Sequence, residues 1–259
     1  MVDRTMKHRI DKSPIQVLDK AISILDALAA HSEAVDLATL AKQVDLPKST
    51  VNRILISLSW HNLVQKDPRS HFYTLGWSLI HLGEAAEKQY DLSKAAAPHL
   101  DALVKATGET AILSVRADSH SICVAQSESP QPIHAVIELG QPAPLHATAA
   151  GKLYLALLSD EEIREFAEKN GLPSVTPQTI TNVGRLLQEI KRIRESGYAV
   201  ENEEHSSGAV GIAAAVSDAA KSVRAALSIV GPSMRVRVDC IEEHAHTVLD
   251  AAQRLSGSL

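Results

Sequence analysis

The sequence predicts an α+β protein of two domains, a winged helix-turn-helix followed by a larger domain built on a mainly antiparallel sheet. Three observations carry this expectation. Residues 35 to 76 hold two short apolar-striped helices and a small hairpin in succession. From about residue 92 the pattern changes to strands in two groups around helices. The 259 residues also exceed what one core of typical size needs, and 45% hydrophobic with 22% charged residues is ordinary globular composition.

Residues 1–12 are polar and read as a mobile arm. The first helix is expected to begin at Ser13-Pro14-Ile15-Gln16, with Ser at the N-cap, Pro at N1 and Gln at N3 as a capping box. Leu18, Ala21, Ile22, Leu25 and Leu28 would form its buried stripe. Asp36 is the expected N-cap of a second helix, buried through Leu37, Leu40, Ala41 and Val44. Pro47 suits the first position of a third, in which Val51, Ile54, Leu55 and Leu58 recur at i, i+3, i+4 and i+7. Helices this short are not stable alone, so the three must share a core. Leu63 to Lys66 and Phe72 to Leu75 then read as strands around the turn Asp67-Pro68-Arg69-Ser70, which completes residues 13–76 as one domain.

Helix, turn, helix and wing in that order fit the major groove of DNA. The third helix presents Lys48, Ser49, Thr50, Asn52, Arg53 and Ser57 opposite its buried stripe. Lys48, Ser49 and Thr50, at a helix N-terminus, suit phosphate. Asn52 and Arg53 suit the edges of adenine and guanine, which they can meet in bidentate fashion. Arg69, His71 and Tyr73 on the wing are placed to reach a phosphate or the minor groove.

Residues 77–91 read as a linker helix, with Trp77, Leu79, Ile80 and Leu82 as its apolar material. Residues 92–259 form the second domain. Its expected elements are a helix over 92–107 ending at Gly108, strands over 110–115, 121–126 and 133–138, helices over 148–159, 160–169 and 182–196, strands over 198–201, 210–216 and 223–230, and a closing helix over 239–255. A sheet with helices over one face leaves room for a small molecule. Thr148-Ala149-Ala150-Gly151, small residues at a helix start, would turn free backbone N–H groups towards a carboxylate.

Charge narrows the function classes. The net charge of −5 is unusual for a DNA binder until it is divided. Residues 1 to 76 carry ten Lys or Arg against eight Asp or Glu, a charge of +2, which leaves −7 for the remainder. So weak a positive charge predicts an oligomer engaging two half-sites, with strong salt dependence. Cys123 and Cys240 are far apart with no C-x-x-C spacing, there is no 18-residue apolar run, and the N-terminus lacks an apolar signal core, so a reducing, cytoplasmic location is expected, with no membrane partner.

Enzyme motifs fail on inspection. A phosphate loop ending at Gly151-Lys152 would need Gly at His146 and Ser or Thr at Leu153. No Gly-x-Ser-x-Gly elbow is present. No cofactor is expected. The alternative is a metal sensor or metal-dependent enzyme using His146, Glu203 and His205, with Glu204, His244 and His246 as further donors, although no H-E-x-x-H spacing supports it. A third class, a scaffold whose winged helix binds protein, predicts no salt-sensitive DNA binding.

Several segments together resemble the IclR family of bacterial transcriptional regulators. Leu46 to Leu55 is similar to its recognition helix and Tyr73-Thr74-Leu75-Gly76 to the end of its wing. Pro144 to Lys152, Ser196 to Val200 followed by Glu203-Glu204-His205, and Ala225 to Pro232 match its effector domain, in the family's order and over nearly the whole chain. The resemblance implies a GAF/PAS-like effector-binding domain, a linker helix that helps pair subunits, operator DNA as partner, and a homodimer or dimer of dimers. It implies a repressor or activator, without catalysis, whose operator binding is controlled by a small organic acid. The implied pocket positions are Ala149, Ala150, Gly151, Glu201, Glu203, Gly211, Ile212, Ser228 and Val230, with Ser228 donating to the acid. Gly211 stands where many members carry Cys, and Val230 where some carry a second Ser. Both departures favour a more apolar or bulkier ligand such as an aromatic acid, although a sugar acid or a glyoxylate-like metabolite also fits.

Overall fold

The computed structural model describes residues 15–89 and 91–259, and the chain divides into two compact units at residues 90 and 91. The expected arm and the Ser13-Pro14 cap lie outside the described residues.

The first unit opens with α1 (Gln16–Ala29), preceded by Ile15, whose side chain makes no capping hydrogen bond. Ile24, Ala27 and Leu28 are buried, with Ala21 and Leu25 packed beside them, whereas Leu18 and Ile22 are exposed. The buried stripe is therefore rotated from the expected one. The helix carries apolar residues on two sides, and packing selects the side that meets α2 (Leu37–Gln43) and α3 (Lys48–Trp60). Asp36 caps α2 as expected, its Oδ1 accepting the N–H groups of Ala38 at 2.7 Å and Thr39 at 3.1 Å. Pro47 sits one position earlier than expected, at the N-cap of α3, while Val51, Ile54, Leu55 and Leu58 are all buried.

The wing is shorter than predicted, with β1 (Val64–Lys66) antiparallel to β2 (Tyr73–Leu75). It gains a third contributor that the sequence did not announce, because Val35 and Tyr73 exchange backbone hydrogen bonds of 2.9 and 2.8 Å. The tip is ordered by Asp67, whose Oδ1 accepts the N–H groups of Arg69 and Ser70, both at 2.7 Å. Helix α4 (Ser78–Gln89) follows at once, and Gly76 makes that possible. Its N–H donates to the Leu63 carbonyl and the Ser78 N–H to that of Asn62, so close that a Cβ on Gly76 would collide with the Asn62 backbone.

The second unit is a six-stranded, wholly antiparallel sheet in the order β5-β4-β3-β8-β7-β6. Its strands are β3 (Thr110–Ala117), β4 (His120–Ser127), β5 (Pro142–Pro144), β6 (Tyr198–Asn202), β7 (Ala209–Ser217) and β8 (Val223–Pro232). Before β3 comes α5 (Asp91–Thr107); between β5 and β6 lie α6 (Ala149–Leu155), α7 (Asp160–Asn170) and α8 (Val183–Ser196); a short 3₁₀ turn and α9 (Ile241–Ser256) close the chain. Residues 133–138 form no strand, contrary to expectation, and the edge strand β5 was unforeseen because its two prolines argue against pairing.

Helices cover both faces, not one. Val210, Ile212, Ala214, Leu227 and Ile229 face α5 and α9 in the larger core. Ala199, Ala213 and Ala226, on the other face, pack under α6 and α8. Strand residues alternate faces, so Gly211, Ala213, Ala226 and Ser228 share the face opposite the larger core.

The glycine contacts give a paired prediction. Gly76→Ala lowers the urea-denaturation stability of the first unit by about 1–3 kcal/mol through overpacking. Gly83→Ala, in α4 with nothing within 4 Å of its Cβ position, raises it by about 0.5–1 kcal/mol.

Candidate nucleic-acid interface and ligand cavity

In the first unit, α3 presents Lys48, Ser49, Arg53 and Ser57 exposed, with Thr50 and Asn52 half-buried on the same polar side. Among the described residues no carboxylate lies within ion-pair distance of Lys48 or Arg53, so both cations are available to phosphate or base. The Ser57 hydroxyl donates to the Arg53 carbonyl at 3.3 Å and so lies back along the helix. On the wing, Arg69 and His71 are exposed, and His71 takes a left-handed φ of 61° at the tip. Tyr73 departs from expectation. It is 3% exposed, packed in the three-helix core with the Lys66 ammonium 5.4 Å from its ring centre, and so cannot reach DNA. Its place on β2 turns it inward, and the residues beside it carry the wing's outer surface.

In the second unit a cavity of about 410 Å³ lies on the small-residue face of the sheet. Of the implied pocket positions, Ala149, Ala150, Glu201, Gly211, Ser228 and Val230 line it. Gly151, Glu203 and Ile212 do not. Ile212 follows Gly211 on β7 and so points to the opposite face, into the core with α5 and α9. Gly151 is needed for packing within its own motif, because a Cβ there would strike the Leu145 backbone. Glu203 lies past the end of β6 at a φ of 56°, where its carboxylate accepts the Gly208 N–H at 2.8 Å.

The sequence missed most of the remaining wall. Ser114, Ser121 and Cys123 come from the sheet, residues 135–138 from the segment expected to be a strand, and His205 and Ser206 from the loop after β6. Thr110 Oγ1 holds that segment over the cavity by donating to the Ala135 carbonyl at 2.9 Å. The start of α6 is less open than expected. Thr148 is its N-cap and accepts the Gly151 N–H at 3.0 Å, which occupies one of the groups assigned to an acid.

Two of the cavity's buried polar residues stand out. Ser228 Oγ is buried with no hydrogen-bond partner. Glu201, 5% exposed, accepts the His205 N–H at Oε1 (3.0 Å), and burial pushes its carboxyl up to about 7. Burial likewise lowers the His205 imidazole and pushes the Cys123 thiol up to about 11, so both are neutral near pH 7.

Behind this wall lies Lys152, which is fully buried. Its ammonium meets Glu204 at 2.5 Å and Glu189 at 3.6 Å. Burial raises the Glu204 carboxyl and Lys152 opposes that rise. Thr176 donates to the Glu203 carbonyl and Thr179 to that of Glu204, both at 2.6 Å, so the loop beyond Glu201 is anchored to the segment between α7 and α8. The metal-centred alternative finds no support. His146 Nε2 pairs with the Pro173 carbonyl at 3.0 Å, and among the described residues no three His, Cys, Asp or Glu side chains converge on one point.

A winged helix-turn-helix with a free polar helix, joined in one chain to a unit holding a ligand-sized cavity, defines a class of DNA-binding regulator. Comparison with known proteins makes this specific. Residues 17–68 match the IclR helix-turn-helix domain and residues 84–257 the bacterial transcriptional regulator IclR C-terminal domain. The HTH-type transcriptional repressor AllR of Escherichia coli (strain K12) is 32% identical over 244 residues, spanning 94% of this chain and 90% of the repressor. The Thermotoga maritima IclR structure superposes with a TM-score of 0.74 at 29% identity, covering 93% of this chain and 98% of that one. The inducer-binding domain of a PobR double mutant from Acinetobacter, in complex with 3-hydroxybenzoic acid, gives 0.60 at 31% identity, covering 64% and 98%. The chain belongs to the IclR family of bacterial transcriptional regulators.

The buried ion cluster generates a prediction. Lys152→Met strands Glu204 in a buried site, and removing one partner of such a pair costs on the order of 3 kcal/mol. Thermal unfolding should show this loss in the second unit, and Lys152→Met combined with Glu204→Gln should restore part of it.

Proposed function

We propose that this chain is a cytoplasmic one-component regulator, not an enzyme, in which a small organic acid held in the cavity controls how paired winged helices engage operator DNA. The observation that carries the ligand half of this reading is the Ser228 hydroxyl, buried and unpartnered on the cavity wall. An unsatisfied buried hydroxyl costs about 1–3 kcal/mol, which a hydrogen-bonding ligand recovers. Size agrees. A cavity of about 150 Å³ accepts benzene, so one of about 410 Å³ takes an aromatic acid with space for substituents. The 3-hydroxybenzoic acid held by the related PobR domain supports the same ligand class.

Two hydroxyls on the sheet side of the wall carry no activating base. Ser228 Oγ has no base within hydrogen-bond distance, and Ser121 pairs with the Thr148 hydroxyl at 3.1 Å, so neither is an activated nucleophile. The relatives are regulators, and among the described residues no helix is long and apolar enough to cross a membrane. Lys48, Ser49, Thr50, Asn52, Arg53 and Ser57 on α3, with Arg69 and His71 on the wing, form the proposed DNA surface. Exposed Trp77, Ile80 and Leu82 favour pairing of subunits into a homodimer or dimer of dimers. Likeness to the AllR repressors favours repression.

Two measurements test this reading. Titrated against operator and random duplexes over a salt series, Arg53→Ala loses roughly 1–3 kcal/mol of operator preference, whereas Lys48→Ala weakens both and reduces the salt slope by about one. Equal losses on both duplexes for Arg53→Ala would reassign Arg53 to a phosphate. Ser228→Ala should make the ligand-free protein more stable by about 1 kcal/mol while weakening the acid about tenfold. A variant that is less stable without ligand and unchanged in affinity would remove Ser228 from the site.

A further inference from the structure

The cavity has a buried acid in its wall and no cation. Among its lining residues there is neither Lys nor Arg, and the titratable ones are Cys123, Glu138, Glu201 and His205. The nearest buried cation, Lys152, is not available, since Glu204 and Glu189 already share it. Glu201, by contrast, faces the space directly. Its Oε2 lies 3.2 Å from where a Cβ on Gly211 would stand, so the missing side chain at 211 is what lets the carboxyl lie against the sheet. Glu201 pairs with Gly211 and Gly211 with Val230, while Ser228 is two residues along β8 on the same face. The carboxyl and the orphaned hydroxyl thus border one stretch of wall.

A carboxylate entering here would meet Glu201 with nothing to neutralise the pair. Two ionised carboxylates side by side in a buried site are strongly unfavourable, and the usual resolution is one proton held between them. We propose that the effector binds as a monocarboxylate between Glu201 and Ser228 with uptake of one proton, which the Glu201 carboxyl and the ligand carboxylate share. The proton comes from solvent, and no bond of the ligand breaks. This rests on the organic-acid reading above and sharpens it, because a second carboxylate on the ligand finds no cation and a neutral amide forgoes the shared proton.

The charged and titratable groups around Glu201 agree with this. Glu204, from its own loop, disfavours a second negative charge, and Lys152, from α6, offsets it only in part. His205 is neutral and offers a single N–H; Cys123 on β4 stays a thiol; Glu138, on the segment over the cavity, adds a further acid. With Glu201 titrating at about 7 in the free protein, affinity should be nearly constant below that pH and fall about tenfold per pH unit above it.

The full chain is screened by thermal shift at pH 6 with glyoxylate, benzoate, 3-hydroxybenzoate, phthalate and benzamide. The best binder is then titrated calorimetrically at pH 8 in phosphate and in Tris, whose different ionisation heats read out proton uptake. The expected results are a monocarboxylate as the best binder, close to one proton taken up, and a flat pH profile without uptake in Glu201→Gln, while Glu138→Gln keeps both. Binding of a monocarboxylate without proton uptake, or loss of uptake in Glu138→Gln only, overturns this inference and leaves the organic-acid reading standing. If no carboxylate raises the melting temperature, both fall.

Discussion

The second unit depends on the alternation of side chains along β7 and β8. On one face stand Val210, Ile212, Val216, Leu227 and Ile229, and on the other Gly211, Ala213, Ala215, Ala226 and Ser228. The large residues lock the sheet to α5 and α9, each contributing about 1.5–3 kcal/mol by burial. That anchorage lets the opposite face remain under-filled. Small residues there place the sheet backbone near the cavity and leave its lining short of contacts, a deficit that a bound molecule makes good and that links ligand binding to stability.

Much of this was legible in the sequence, but unevenly. In α3 the period of 3.6 gives a single stripe, and Val51, Ile54, Leu55 and Leu58 are all buried as the spacing implies. In α1 the same reasoning is only partly right, since Leu28 is buried with Ala21 and Leu25 packed beside it while Leu18 and Ile22 stay exposed. Val17, Leu18 and Ile22 make as good a stripe as Ile24, Ala27 and Leu28, and only the position of α2 and α3 decides between them. Tyr73 illustrates a different limit. An aromatic in a two-stranded wing has two faces open to it, and the bridge to Val35 turns this one inward.

The cavity was harder to read because its wall is assembled from segments with no period. Residues 135–138 are rich in apolar and β-branched types, yet they run over the cavity, held partly by the Thr110 hydroxyl, instead of pairing in the sheet. Pro142 and Pro144 look like strand breakers, but an edge strand has one row of N–H groups to spare. Gly211 and Ile212 show what the pleat alone could have settled. Neighbours on a strand cannot both face one cavity, so the register separates a pocket residue from a core residue that the family resemblance had grouped together.

The charge of the first unit constrains how it can work on DNA. Among the proposed contacts only Lys48, Arg53 and Arg69 are permanent cations, so one copy can neutralise about three phosphates at most. Each phosphate neutralised contributes roughly 0.9 to the slope of log affinity against log salt, so a single copy would show a slope of about −3. That is modest for a protein that must hold one site among the many competing sequences of a chromosome. Joining two copies doubles the contacts and converts the second binding event into an intramolecular one. On this arithmetic the proposed pairing of subunits through the exposed apolar residues of α4 would supply the affinity that a reading head with so few cations lacks.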